Sequence, residues 1–160
     1  GMKPVPSIAG HAYIKDAMKE SGAPFGGEKS GHYFYRSLHY TDSSLMTIIR
    51  MLEVLDETGE TLESLARPLM ERYVSTGEVN YTVTKKKEKL EALEREFAAE
   101  GDVKTIDGVS VYGKEFFFNV RKSNTENLVR VNLEAVDETT LQNVKTRIER
   151  VIARTSPGFE

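Results

Sequence analysis

Glu115-Phe116-Phe117-Phe118-Asn119-Val120-Arg121-Lys122-Ser123-Asn124-Thr125-Glu126-Asn127-Leu128-Val129-Arg130-Val131-Asn132-Leu133-Glu134 holds two β-patterned runs separated by six polar residues. From Leu128 to Glu134, Val129, Val131 and Leu133 alternate with Leu128, Arg130, Asn132 and Glu134. That is the period of two expected of a half-buried strand. Residues 115–121 are rich in aromatic and β-branched side chains, which favour a pleated surface. The connection Arg121 to Glu126 contains no Gly or Pro, although a segment built only to turn the chain favours Gly, Pro, Asn or Asp. Nearly every side chain in it can donate a hydrogen bond to an anion. Arg121 adds a planar fork that matches phosphate oxygens two at a time. The segment reads as a small phosphate cradle. The pattern also fits a hairpin loop in which Asn124 and Thr125 satisfy their own backbone.

Outward from this pair, the C-terminal region predicts further strands at 78–83, 103–106 and 109–112, the last two joined by a turn at Asp107-Gly108. Residues 85–99 predict a charged helix with Leu90, Leu93 and Phe97 on one face. A final helix from Asp137 to about Ala153 turns Leu141, Val144, Ile148 and Val151 inward. This order predicts an antiparallel sheet with helices packed on one face. Lys85-Lys86-Lys87 at a helix start reads as a solvated face.

The N-terminal region differs. Pro4 and Pro6 predict an extended or edge strand over residues 3–8. A helix follows over His11–Ser21 with Gly22 as its cap. A short strand starts at Pro24-Phe25, and an aromatic one spans His32 to Arg36. A helix capped by Asp42 or Ser43 carries the apolar stripe Leu45, Ile48, Ile49, Leu52 and Leu55. Another starts at Thr61, with Pro68 predicting a kink or stop near Arg67. The fold class is α+β or mixed α/β, with segments 1–58, a linking region 59–76, and 77–160.

The chain has 160 residues, 39% hydrophobic and 29% charged, with a net charge of −3. That balance argues against charge-driven nucleic-acid binding, which needs a basic surface. No apolar run approaches the ~20 residues that cross a bilayer, and no basic-then-apolar leader opens the chain. The absence of cysteine excludes disulfides and thiolate chemistry. A cytoplasmic location without membrane or nucleic-acid partners is the simplest expectation.

Gly26-Gly27-Glu28-Lys29-Ser30-Gly31-His32 is the second candidate site. Its glycines allow close approach of a ligand to the backbone. Glu28 can accept from two vicinal hydroxyls, and an imidazole can donate, accept or move a proton near neutral pH. The set suits a polyol such as a sugar; it equally suits a glycine-rich turn with solvent-facing polar residues. His11 begins a helix and could aid anion binding there, or simply cap and pack. His39 has no assigned role. Along the chain no nucleophile stands beside a base, and no acidic or histidine pair shows metal-ligand spacing.

Three elements in order now support a resemblance: Gly10-His11 leading into Ile14-Lys15, Gly27-Glu28-Lys29-Ser30-Gly31-His32, and Arg121-Lys122-Ser123-Asn124-Thr125-Glu126. Together, over about residues 5–153, they resemble the C-terminal half of the α-D-phosphohexomutases, the phosphomannomutase/phosphoglucomutase family. The resemblance implies four domains around a cleft. A phosphoserine in the first transfers a phosphoryl group, and an Asp-rich loop in the second holds Mg2+. The third domain reads sugar hydroxyls, and the fourth closes on the existing phosphate. Residues 1–58 would be the end of the third, a partial α/β sugar-binding domain, and 77–160 the fourth.

The resemblance implies that Glu28 and Ser30 contact the O3 and O4 hydroxyls, that His32 is a proton shuttle near the reacting end, and that His11 is a substrate contact. Lys29 and Gly31 complete the sugar-binding element, while Arg121, Lys122, Ser123, Asn124 and Thr125 form the phosphate loop. Lys122 and Asn127 depart from the family pattern and should leave that loop less pre-organised; Lys29 departs where Met is frequent. Neither a phosphoserine loop nor an Asp-rich metal loop occurs in the 160 residues, so Mg2+ belongs to the parent and none is expected on this chain. The expectation is a recognition portion for hexose 1- and 6-phosphates and their bisphosphate, inactive alone and partnered by the parent's N-terminal domains. A stand-alone phosphosugar-binding or regulatory module and one half of a split mutase are the alternatives. Removing early strands of a domain exposes apolar surface, so a homodimer through the first ~55 residues is also expected.

Overall fold

The computed structural model describes residues 3–123 and 125–153. They form two compact units that divide between Arg67 and Pro68.

The first unit is built on helix α1 (His11–Ser21). Ile14 and Met18, four residues apart and hence on one face, pack with Phe34 into a small core. The helix ends at Gly22, whose φ of 68° is the left-handed conformation that lets its N–H reach back to the Lys19 carbonyl. Strands β1 (Phe25–Gly27), β2 (Tyr33–Tyr35) and β3 (Thr41–Asp42) then form a three-stranded antiparallel sheet in that order. The β1–β2 turn is closed by backbone bonds from Glu28 N–H to His32 and from Gly31 N–H to Glu28. It needs φ of +86° at Gly31, which glycine adopts without steric cost. Between β2 and β3 the chain makes a tight 3-10 turn, and His39 and Tyr40 take positive φ. Helix α2 (Ser44–Thr58) starts where Ser43 Oγ accepts the Met46 N–H at 3.2 Å.

Two expectations are corrected here. Residues 3–8 form no strand; Pro4 and Pro6 lack the N–H groups that a ladder needs. Along α2, Leu45, Ile48, Ile49 and Leu52 are exposed, an apolar stripe that the described residues of this unit do not cover. Helix α3 (Leu62–Met70) runs through Pro68. The proline removes one hydrogen bond, and the helix ends two residues later, so the loss falls in its last turn.

The second unit is a five-stranded sheet of order β4-β8-β7-β6-β5, antiparallel at every pairing. Its strands are β4 (Val74–Thr82), β5 (Gly101–Lys104), β6 (Val109–Gly113), β7 (Phe116–Lys122) and β8 (Leu128–Ala135). Helices α4 (Lys86–Phe97) and α5 (Glu138–Ala153) join one core with the sheet. The alternation along β8 sets this: Val129, Val131 and Leu133 are buried with Phe118 and Val120 of β7, while Arg130 and Asn132 lie on the opposite face. Leu93, Phe97, Leu141, Val144 and Ile148 complete the core from the helices. Asp137 caps α5 by accepting the Thr140 N–H at 2.7 Å, and that bond holds its carboxyl below the usual range. Strand β4 starts earlier than residue 78 because a bulge between Ser75 and Glu78 lets it continue past Gly77.

Phe118 is fully buried, 4.8 Å edge-to-face from Phe97. Phe118→Ala should cost about 3–5 kcal/mol, the range for a large core truncation. Urea unfolding of this unit followed by circular dichroism checks the value; a cost below about 1 kcal/mol would contradict the described core.

Candidate functional site

In the first unit, four sequence-predicted residues come together. Glu28 and Ser30 follow β1, His32 precedes β2, and His11 opens α1. His32 Nδ1 lies 3.0 Å from Glu28 Oε1 and 2.9 Å from Ser30 Oγ. This fixes the ring through one nitrogen and leaves Nε2 on its other side. The His11 ring stands 4.7 Å from that of His32 and 5.1 Å from Phe34, both edge-to-face. Glu28 is the least exposed of the three polar partners, with 17% of its side-chain surface accessible. A part-buried carboxylate beside an imidazole and a hydroxyl can accept hydrogen bonds from the hydroxyls of a polyol. Lys29, Ser30 and Gly31 are exposed on the turn. Asp42 of β3 joins the group, its Oδ1 3.7 Å from His11 Nδ1. In the sequence Asp42 is visible only as a helix cap, a role that Ser43 fills.

In the second unit, the segment after β7 is a built loop. Ser123 is buried; its N–H donates to the Leu128 carbonyl at 3.0 Å, and its Oγ accepts the Glu126 N–H at 3.2 Å. Thr125 Oγ1 lies 3.5 Å from Ser123 Oγ. Lys86, from the start of α4, donates to the carbonyls of Ser123 at 2.9 Å and of Glu126 at 2.8 Å. The lysine run is therefore not simply a solvated face: Lys87 is exposed, but Lys86 ties a helix to this loop. Its ammonium also presents positive charge beside the loop. Asn124 lies outside the described residues.

Arg121 and Arg130 stand directly opposite each other on β7 and β8. Glu78 of β4 accepts from both, at 3.2 Å from Arg121 Nη2 and 3.0 Å from Arg130 Nη1. Partial burial would raise the Glu78 carboxyl, but the hydrogen bonds and charges of the two arginines outweigh it and hold it below the usual carboxylate range. Glu78 divides its carboxylate between the two guanidiniums, and Glu126 Oε2 lies 3.9 Å from Arg130 Nη2, so Arg121 is the less compensated of the pair; a third of each arginine side chain is still accessible. Lys122, the next residue, is exposed. A part-exposed guanidinium can donate two parallel hydrogen bonds to an oxyanion. Glu78 and Arg130 are not apparent from local spacing, since they meet Arg121 only through strand pairing. Alternation does put Arg130 and Arg121 on the helix-free face.

Two family descriptions match the chain in succession: "Phosphoglucomutase/phosphomannomutase, alpha/beta/alpha domain III" over residues 1–73, and "Phosphoglucomutase/phosphomannomutase, C-terminal domain" over residues 78–151. Among similar proteins, a phosphomannomutase of Methanocaldococcus jannaschii is 36% identical over 94% of this chain and 33% of its own length. A phosphomannomutase of Escherichia coli is 34% identical over 96% of this chain and 33% of its own length. The chain thus spans about a third of the curated relatives it matches. A crystal structure of a phosphoglucomutase/phosphomannomutase family protein from Burkholderia thailandensis superimposes with a TM-score of 0.69, at 30% identity, over 89% of this chain and 31% of that one. The residues that build the turn at Glu28–His32 and the loop at Arg121–Thr125 lie inside these matches, and the chain belongs to the phosphoglucomutase/phosphomannomutase family.

Proposed function

We propose that this chain is the substrate-recognition portion of a phosphohexomutase, an enzyme that interconverts hexose 1-phosphate and hexose 6-phosphate. Glu28 and Ser30 read the O3 and O4 hydroxyls, and Lys29 and Gly31 shape the turn that carries them. His11 contacts the sugar, and His32 moves a proton at the reacting end. Arg121, Lys122, Ser123, Asn124 and Thr125 hold the phosphate that does not react. The observation that carries the reading is the second-unit loop, closed by Ser123 and tied by Lys86, beside a guanidinium that Glu78 only half neutralises.

Recognition by O3 and O4 suits a substrate that must present either end, because these hydroxyls offer a similar pattern in both orientations. His32 Nδ1 is engaged by Glu28 and Ser30, so Nε2 is the atom that exchanges a proton with a sugar oxygen. A phosphate grip at Arg121–Thr125 turns binding energy into orientation of the group it holds.

The parent family's Mg2+ does not fit this chain. The donor cluster among the described residues carries two imidazoles and one carboxylate, whereas Mg2+ demands oxygen ligands in octahedral array. No phosphoserine loop occurs in the 160 residues. Donor and metal come from other domains of the parent, and the isolated chain should show no mutase activity.

Two outcomes check this reading. In calorimetry, mannose 1-phosphate or glucose 1-phosphate should bind weakly and saturably. Arg121→Ala should weaken binding about tenfold or more, the loss of a charge-assisted hydrogen bond. Absence of binding, or an unchanged affinity in that variant, contradicts the proposal. Separately, the Glu78 carboxyl is depressed in the folded chain, so its stabilising contribution is present above its ordinary value of 4.5 and is lost as pH falls through the folded value. Unfolding curves at neutral and acidic pH should show a smaller acid loss in Glu78→Gln than in the unsubstituted chain. Equal losses would mean that the two arginines do not depend on this carboxylate.

A further inference from the structure

His11, His32 and Asp42 come from the start of α1, the residue before β2 and the end of β3, and each offers one ligand atom within 4.8 Å of the others. We propose that these three side chains form a binding site for a divalent transition metal of the zinc type, separate from the Mg2+ site of the parent.

His11 Nδ1 and Asp42 Oδ1 are 3.7 Å apart, too long for a hydrogen bond. The spacing is close to the edge of a tetrahedron whose metal–ligand bonds are about 2.0–2.1 Å, roughly 3.3 Å. His32 already has the outer partner that metal-bound histidines use. Glu28 Oε1 at 3.0 Å accepts from Nδ1–H and so puts the lone pair on Nε2. Ser30 Oγ, 2.9 Å from the same nitrogen, restrains the ring further. Phe34 packs edge-on against His11 at 5.1 Å and limits that ring too. Binding requires the ligand atoms, all within 4.8 Å of one another, to draw in toward that edge length. Two imidazoles and a carboxylate select zinc, nickel or copper over magnesium. Three protein ligands also leave a fourth position for water or a ligand oxygen. All three side chains are accessible, between 30% and 47%, so an ion can enter without unfolding.

An ion held there takes the His32 nitrogen assigned above to the sugar. Zinc and hexose phosphate should therefore exclude each other; this consequence rests on the proposed function, while the site itself does not.

The test is calorimetric titration of the complete chain with zinc chloride, without sugar. One saturable site is expected, with no comparable heat from magnesium chloride. His11→Ala, His32→Ala and Asp42→Asn should each weaken zinc binding at least about tenfold, and Glu28→Gln about tenfold through the outer contact. His39→Asn should change nothing. Proton NMR of the unsubstituted chain gives an independent reading: the ring protons of His11 and His32 should shift with zinc and those of His39 should not. Absence of a saturable site, equal binding in the His11 and Asp42 variants, or a response at His39 alone would overturn the site. If zinc binds as expected but does not weaken hexose phosphate binding, the metal site stands and the sugar assignment of His32 fails.

Discussion

Arg121 and Arg130 face each other across β7 and β8, and the Glu78 carboxylate between them makes that pairing tolerable. Like charges directly opposite on a sheet repel. Glu78 answers both from β4, which lies on the far side of β8 and is 43 and 52 residues distant along the chain from the two arginines. The contact therefore depends on the strand order β4-β8-β7. Because the three side chains are part-exposed, each pair contributes only about 0–1 kcal/mol to folding. Under the proposed function its value lies in position: a guanidinium restrained beside a loop would need less ordering to bind an anion.

The loop itself is set by the opposite face of the molecule. Core residues on β7, β8 and α4 place the start of α4 beside the β7–β8 connection, where Lys86 reaches two loop carbonyls. Packing on the helix face thus shapes a polar feature at the sheet end. Burial of Ser123 adds to this, because a hydroxyl removed from water must find partners and finds them in the Glu126 N–H and the Thr125 hydroxyl. The first unit uses a shorter-range version of the same device. A five-residue turn carries Glu28, Ser30 and His32, and their mutual bonds orient the imidazole.

Much of this was legible in the sequence where the cause is local. Val129, Val131 and Leu133 alternate in β8, the α5 stripe repeats at helical spacing, and both emerge buried. Glu28, Ser30 and His32 lie within one turn, so their spacing already implied contact. For the α2 stripe only half was legible, since periodicity shows which face of a helix is apolar, not what covers it. Glu78, Arg130, Lys86 and Asp42 were missed as site residues because their partners are far along the chain. No local pattern encodes that a β4 carboxylate will meet a β7 arginine. Residue chemistry alone offered an anion cradle at residues 121–126 and a polyol turn at residues 26–32, each beside a plain turn reading; the family resemblance supplied the particular hydroxyl and phosphate contacts.

The central claim is that the turn at residues 28–32 recognises sugar hydroxyls and the loop at residues 121–126 recognises phosphate. Amide chemical-shift mapping of the isotopically labelled chain with inorganic phosphate, then with mannose 1-phosphate, tests it most directly. The account requires residues 121–126 to respond to both ligands, and residues 28–32 to respond to the phosphosugar alone. Movement at residues 28–32 with phosphate, or no movement at residues 121–126 with either ligand, would contradict it.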